Sequence, residues 1–217
     1  MAPLRLLLAD DHEIVRHGLR SMLETQHDCQ VVGEAADGRQ AVTMTKELNP
    51  DVVILDIGMP SLNGLEATRQ ILKMRPQTKV LILTMHESDS VIREVLDAGA
   101  RGYILKTDAG RDLVTAVESL RRNKTFFTSR VSQMILDGFL KGDSRPQDPS
   151  GAIRLTPRQR EIVQLLAEGK SSKEVAVALD LSVKTAETHR ANIMRKLDCH
   201  SVSEVVRYAI RNKIIEA

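Results

Sequence analysis

The 217-residue sequence predicts two folded parts: a doubly wound α/β domain on a five-stranded parallel sheet, then an all-α domain of four helices. Three observations carry this. Up to residue 122, short apolar or β-branched runs alternate five times with amphipathic stretches of helical length. The stretch KGDSRPQDPSGA, between Leu140 and Ile153, has no hydrophobic periodicity. Beyond it, two short capped helical stretches precede a longer one, as in a helix-turn-helix.

The strands are expected at Leu4–Ala9, Val31–Ala35, Val52–Leu55, Val80–Leu83 and Gly102–Leu105. Each is nearly continuous in apolar residues, which fits strands covered on both faces. The helices between and after them are expected at Glu13–Thr25, Gly38–Leu48, Gly64–Met74, Ser90–Ala98 and Arg111–Arg122. KGDSRPQDPSGA buries too little apolar surface to offset chain ordering and reads as a linker. After it, Thr156 caps a helix with Pro157 at its first position, Ile162, Leu165 and Leu166 repeat at helical spacing, and Gly169 ends it. Ser172 starts a second helix with Val175, Ala176 and Leu179 apolar, Ser182 caps a third, and Ser201 or Ser203 begins a fourth. The expected domains are 1–125, a helical extension and flexible linker over 126–152, and 153–217.

Composition narrows the function classes. No apolar run approaches the roughly 18 residues of a membrane span, and MAPLRLLLADD runs straight into acids, unlike a signal peptide. Cys29 and Cys199 form no CxxC, so a reduced, cytoplasmic setting is expected. Aromatic residues are only 2%, which argues against stacking on single-stranded bases. Residues 1–137 carry 17 basic against 19 acidic side chains, and residues 138–217 carry 14 against 10. The basic excess therefore lies in the C-terminal part, where either a solvated surface or a nucleic-acid partner accounts for it.

Ligands of a doubly wound sheet sit outside the carboxyl ends of its strands. Asp10 and Asp11 follow the first strand, Asp56 the third, Thr84 the fourth and Lys106 the fifth. Any one alone reads equally as a cap. Together they are three carboxylates, one cation and one hydroxyl on one rim. Clustered carboxylates repel unless a cation joins them, and an all-oxygen set suits Mg²⁺. Mg²⁺ beside a lysine neutralises a transferring phosphoryl group while a carboxylate attacks phosphorus, and Thr84 can hydrogen-bond the installed group.

With DD, DIGMP, LT and K at this spacing, residues 3–122 resemble the receiver domain of two-component response regulators. The resemblance implies the flavodoxin-like strand order 2-1-3-4-5. It makes Asp56 the phosphoacceptor, Asp11 a direct metal ligand with Asp10 acting through water, and the Gly58 carbonyl a further ligand. Lys106 would pair with the phosphoryl group, and Thr84 and Tyr103 would be the switch pair. Without the family, Tyr103 reads as a half-buried strand aromatic. Three positions depart from the common pattern: Gly58 has no side chain to reach the phosphoryl group, Met85 is bulky, and Thr107 stands where many receivers have Pro.

On the third C-terminal helix, Ala186, Ile193 and Leu197 fall on one arc and should face the core. Lys184, Thr188, Ala191 and Arg195 lie opposite, and Lys184–Lys196 holds four basic residues and one acid. That face is either solvated or enters a major groove. LTPRQREI, GKSSKEVA and SVKTAETHRANIMRKL resemble the LuxR-type DNA-binding domain, and with the receiver in front the chain resembles the NarL/FixJ class of response regulators. By that resemblance Glu187, Thr188 and Ala191 face bases, Lys184, Thr185, Arg195 and Lys196 contact phosphates, and Asn192 joins the DNA-binding set. Some members carry Lys where this chain has Glu187 and Ala191, so its preferred base sequence should differ. His189, near the edge of the apolar arc, is expected to pack. Val202, Val205, Val206 and Ala209 on the last helix either close the core or, as the family implies, form a dimer contact on DNA.

The resemblance implies a transcription regulator, not an enzyme, that a sensor histidine kinase phosphorylates at Asp56 with Mg²⁺. Phosphorylation would release or dimerise the C-terminal domain for double-stranded promoter DNA, with RNA polymerase as a further partner and no membrane involved. Two alternatives stand beside it. One is a constitutive DNA-binding dimer with a structural receiver. The other is an aspartate-nucleophile phosphohydrolase, for which Gly58 offers no second acid.

Overall fold

The computed structural model describes residues 2–85, 88–129, 131–133, 136 and 155–215. The expected linker, 141–152, lies outside them. The chain divides into two compact units, Met1–Asp143 and Ser144–Ala217.

The first unit is a five-stranded parallel sheet of β1 (Leu4–Ala9), β2 (Cys29–Ala35), β3 (Val52–Asp56), β4 (Lys79–Thr84) and β5 (Gly102–Leu105), in the order β2-β1-β3-β4-β5. Successive side chains on a strand point to opposite faces, so the apolar runs feed two cores. Leu7, Val53, Leu55, Val80, Ile82 and Tyr103 pack with α2 (Gly38–Leu48), α3 (Gly64–Met74) and α4 (Asp89–Asp97). Leu6, Leu8, Ile54, Leu81, Leu83 and Ile104 pack with α1 (Glu13–Glu24) and α5 (Ala109–Arg121).

The differences from expectation have local causes. β2 starts two residues early because Cys29 and Gln30 pair with Leu4 and Arg5, ahead of a register shift between Leu6 and Leu7. α5 starts at Ala109 because Lys106–Asp108 form a 3₁₀ turn that leads into it. Beyond residue 125 the chain still belongs to this sheet. Phe126 exchanges backbone hydrogen bonds with Arg101 and Tyr103, both 3.0 Å, and Phe127 and buried Val131 pack on the first core.

The second unit contains α6 (Pro157–Ala167), α7 (Ser172–Ala178), α8 (Val183–Leu197) and α9 (Val202–Arg211). Thr156, Ser171, Ser182 and Ser201 cap these helices, each side chain accepting from the backbone N–H three residues on. Ser201, not Ser203, is thus the last cap. Thr156 with Gln159 and Ser171 with Glu174 complete capping boxes. The turn after α6 places Gly169 at φ +85°, which a side chain would strain. Ile162, Leu165, Leu166, Val175, Ala186, Ile193, Val205 and Ala209 form one core. The stripe expected on α9 therefore splits: Val205 and Ala209 are buried, Val206 is half-buried, and Val202 is 39% exposed.

Candidate functional site

Parallel register gathers the polar strand ends. Ala9 pairs with Leu55, which brings Asp10 beside Asp56, and Asp56 pairs with Leu83. Thr84 pairs with Leu105, so Lys106 follows at the same edge. Asp10, Asp56 and Thr84 are all buried.

Lys106 Nζ lies 2.7 Å from Asp10 Oδ2 and 2.8 Å from Asp56 Oδ2. Burial is the largest single influence on this ammonium and pushes its pKa down. The hydrogen bonds and charges of Asp10 and Asp56 together outweigh that and hold it above the ordinary lysine value. Asp10 Oδ1 accepts from the His12 N–H at 2.9 Å, and Asp11 Oδ1 is 2.7 Å from His12 Nδ1. One donor atom each from Asp10, Asp11, His12 and Asp56 lies within 4.8 Å of the others. One ammonium against three carboxylates leaves an excess of negative charge on a partly buried rim. The hard oxygen donors of Asp10, Asp11 and Asp56 fit a divalent cation such as Mg²⁺. Gly58, two residues beyond Asp56, is half-buried in the loop after β3. Tyr103 is not half-buried, as the bare sequence suggests, but 1% exposed within the first core. Met85, directly after Thr84, is 62% exposed.

Sequence reasoning missed three contributors. His12 joins the acidic cluster directly. Arg16, which reads as a solvated helix cation, donates from Nη1 to the Asp10 carbonyl at 2.6 Å. Gly64 opens α3 against the backbone of Asp56, where an added Cβ would stand 2.0 Å from the Asp56 carbonyl oxygen. Glycine there had one legible signal, its place just after the Asn63 cap. The other two act on residues only one to six positions away, but their side-chain directions are set by how the chain turns from β1 into α1, which residue type and spacing do not show.

On the second unit, α8 presents Lys184, Glu187, Thr188, Ala191, Asn192 and Arg195 as exposed residues, with Thr185 and Lys196 half-buried. Ala186 and Ile193 are buried opposite, Leu197 packs on the core, and His189 is half-buried. Several polar groups are already engaged. Thr188 Oγ1 donates to the Lys184 carbonyl at 2.8 Å. Thr185 Oγ1 lies 2.8 Å from Ser182 Oγ at the helix cap. Arg195 Nη2 donates to Asn192 Oδ1. Lys196 Nζ donates to Gln159 Oε1 at 3.2 Å. What this face offers a partner is cations, short side chains and one carboxylate on a rigid helix.

Comparison with known proteins matches both units to described families. Residues 6–118 match the response regulator receiver domain, and residues 154–209 match bacterial regulatory proteins of the luxR family. The chain is 38% identical over 214 residues to the response regulator protein VraR of Staphylococcus aureus, covering 98% of this chain and 99% of that protein. Among solved structures, the RcsB response regulator of Salmonella typhimurium is 29% identical over 96% of this chain and 98% of its own, at a TM-score of 0.58. A two-component response regulator RcsB–DNA complex is 30% identical, covering 95% of this chain and 97% of that one, at a TM-score of 0.58.

Proposed function

Because the chain belongs to the response regulators that join a receiver domain to a LuxR-family DNA-binding domain, we propose that Asp56 is the residue phosphorylated in a switch controlling promoter binding. The observation that carries this is the Lys106 ammonium shared between two buried carboxylates, 2.7 and 2.8 Å away.

In this mechanism an Asp56 oxygen attacks the phosphorus of a phosphohistidine on a sensor kinase. The phosphorus–nitrogen bond breaks as the acyl phosphate forms, and the histidine nitrogen keeps the electron pair. Lys106 already touches Asp56, so its ammonium moves onto the new phosphoryl oxygens without leaving the site. A Mg²⁺ ion held by Asp10, Asp11, Asp56 and the Gly58 carbonyl would supply further neutralisation of phosphoryl charge. Arg16 and His12 fix the backbone and one oxygen of Asp10, which keeps the carboxylates convergent. Thr84, at the adjacent strand end, donates its hydroxyl to a phosphoryl oxygen, and Tyr103 senses that shift from the neighbouring strand. Gly58 contributes no acid or base to turn the site toward repeated hydrolysis of a substrate.

Modification favours whichever state binds the acyl phosphate better, and that differential affinity is the whole driving force. The change reaches the second unit by release or by pairing of two chains. Val202 and Ile210, four-residue neighbours of half-buried Val206, are 39% and 38% exposed on α9 and support a homodimer on DNA. Lys184, Thr185, Arg195 and Lys196 hold phosphates, and Glu187, Thr188, Ala191 and Asn192 face base edges of duplex promoter DNA. A cytoplasmic setting and RNA polymerase as a partner complete the reading.

Incubation with Mg²⁺ and a small phosphodonor, followed by intact mass measurement, tests it. The wild-type chain is expected to gain one phosphoryl group and Asp56→Asn none. Equal labelling of the two proteins would overturn the assignment.

A further inference from the structure

On the exposed face of α8, one acid stands apart. Glu187 makes no hydrogen bond or ion pair with any described residue, although Lys184 and Arg190 lie three positions away on either side. At about 100° per residue it sits roughly 40° around the helix from Ala191 and roughly 60° from Lys184. It therefore shares the arc of the cations expected to hold phosphates. A carboxylate brought against a polyanion is repelled unless it meets a donor. We propose that Glu187 is a specificity residue whose carboxylate accepts from a cytosine amino group in the major groove, with Thr188 and Ala191 taking thymine methyls beside it. This rests on the reading of α8 as the DNA-entering element and adds the bases that it reads.

The chemistry selects the base. The major groove exposes amino donors only on cytosine and adenine. Adenine places its N7 acceptor beside that amino group, a pattern matched by an amide that both accepts and donates. An ionised carboxylate only accepts, so it suits cytosine. Thr188 donates its hydroxyl hydrogen back to the Lys184 carbonyl at 2.8 Å, which leaves its methyl and the Ala191 methyl as apolar surface.

The test selects duplexes from a randomised pool with the full-length, phosphodonor-treated protein and with Glu187→Ala. Sites chosen by the wild type should hold a cytosine at one fixed position in each half-site. Replacing that C·G pair by T·A should weaken wild-type binding roughly ten- to a hundred-fold. Glu187→Ala should bind both duplexes alike, and the T·A duplex no more weakly than the wild type does. Unchanged thermal melting of the variant, expected for an exposed side chain without partners, separates this from misfolding. If both proteins select the same bases, the Glu187 assignment falls while DNA binding stands. If neither selects any duplex, the reading of α8 falls and takes this inference with it.

Discussion

At the rim of the sheet, Asp10 and Asp56 are buried and share one ammonium, while Asp11 is tied to His12. On α8, the Lys184 ammonium and the Glu187 carboxylate are exposed, and neither has a partner among the described residues. The two surfaces carry similar groups under different rules. A buried charge must be paired, because leaving water costs more than an isolated ion can recover. An exposed charge is already solvated, so it can wait for a partner that arrives from outside. On the proposed function, the rim is thus preorganised to receive a small group among fixed charges, whereas the helix keeps its charges available for an extended polyanion. Substitutions of like chemistry should therefore act on stability at the rim and on binding at the helix.

The largest expected effect is at Lys106. Lys106→Ala leaves two adjacent buried carboxylates with no cation, and breaking such a buried pair costs about 3–5 kcal/mol. The receiver transition in calorimetry of the full chain, in chelator, should fall accordingly, with Mg²⁺ restoring part of the loss. The charged amine is favoured by the fold, since its pKa lies above the ordinary 10.5. Its contribution is complete below that value and fades as the pH rises through the folded pKa. Wild type and variant should converge on alkaline titration. A variant as stable as the wild type in chelator would break the contrast with α8.

Next in size is Gly64. Its α-hydrogen faces the Asp56 carbonyl so closely that an added methyl would force the β3–α3 loop to shift, which costs about 1–3 kcal/mol. Gly64→Ala should also slow labelling of Asp56, because the displaced backbone is that of the proposed acceptor. Gly18 sharpens the comparison. It is exposed on α1 with nothing within 4 Å of an added Cβ, so Gly18→Ala should stabilise the chain by roughly 0.5–1 kcal/mol. Equal effects at the two glycines would show that helix propensity, not approach to Asp56, governs Gly64.

The same distinction explains what could be read from the sequence. Asp10, Asp56, Thr84 and Lys106 were legible because each ends an apolar run, and a doubly wound sheet leaves little choice about where such ends meet. The α8 face was legible from periodicity, since buried Ala186 and Ile193 mark the opposite side. Arg16 was not, because a cation on an amphipathic helix looks solvated until the fold turns it onto Asp10. The mixed fate of Val202, Val205, Val206 and Ala209 was hidden for a similar reason. The four fall within about 100° of arc, as one packing surface allows, but Val202 is the first residue of α9, and arc alone does not show how far along the helix the packing against α6 extends.

The smallest effect on stability, and the clearest on binding, is expected from Lys184→Ala and Arg195→Ala. Both residues are exposed, so unfolding should change by less than about 0.5 kcal/mol. Each cation that neutralises a phosphate contributes about one unit to the dependence of log affinity on log salt, and each substitution should lower that slope by about one. Affinity itself should fall further for Lys184. Its ammonium has no partner among the described residues, whereas Arg195 must share or release Asn192 to meet a phosphate. A salt slope unchanged by either substitution would remove that cation from the DNA face. A stability loss comparable to that at Lys106 would instead place it with the buried, pre-paired charges.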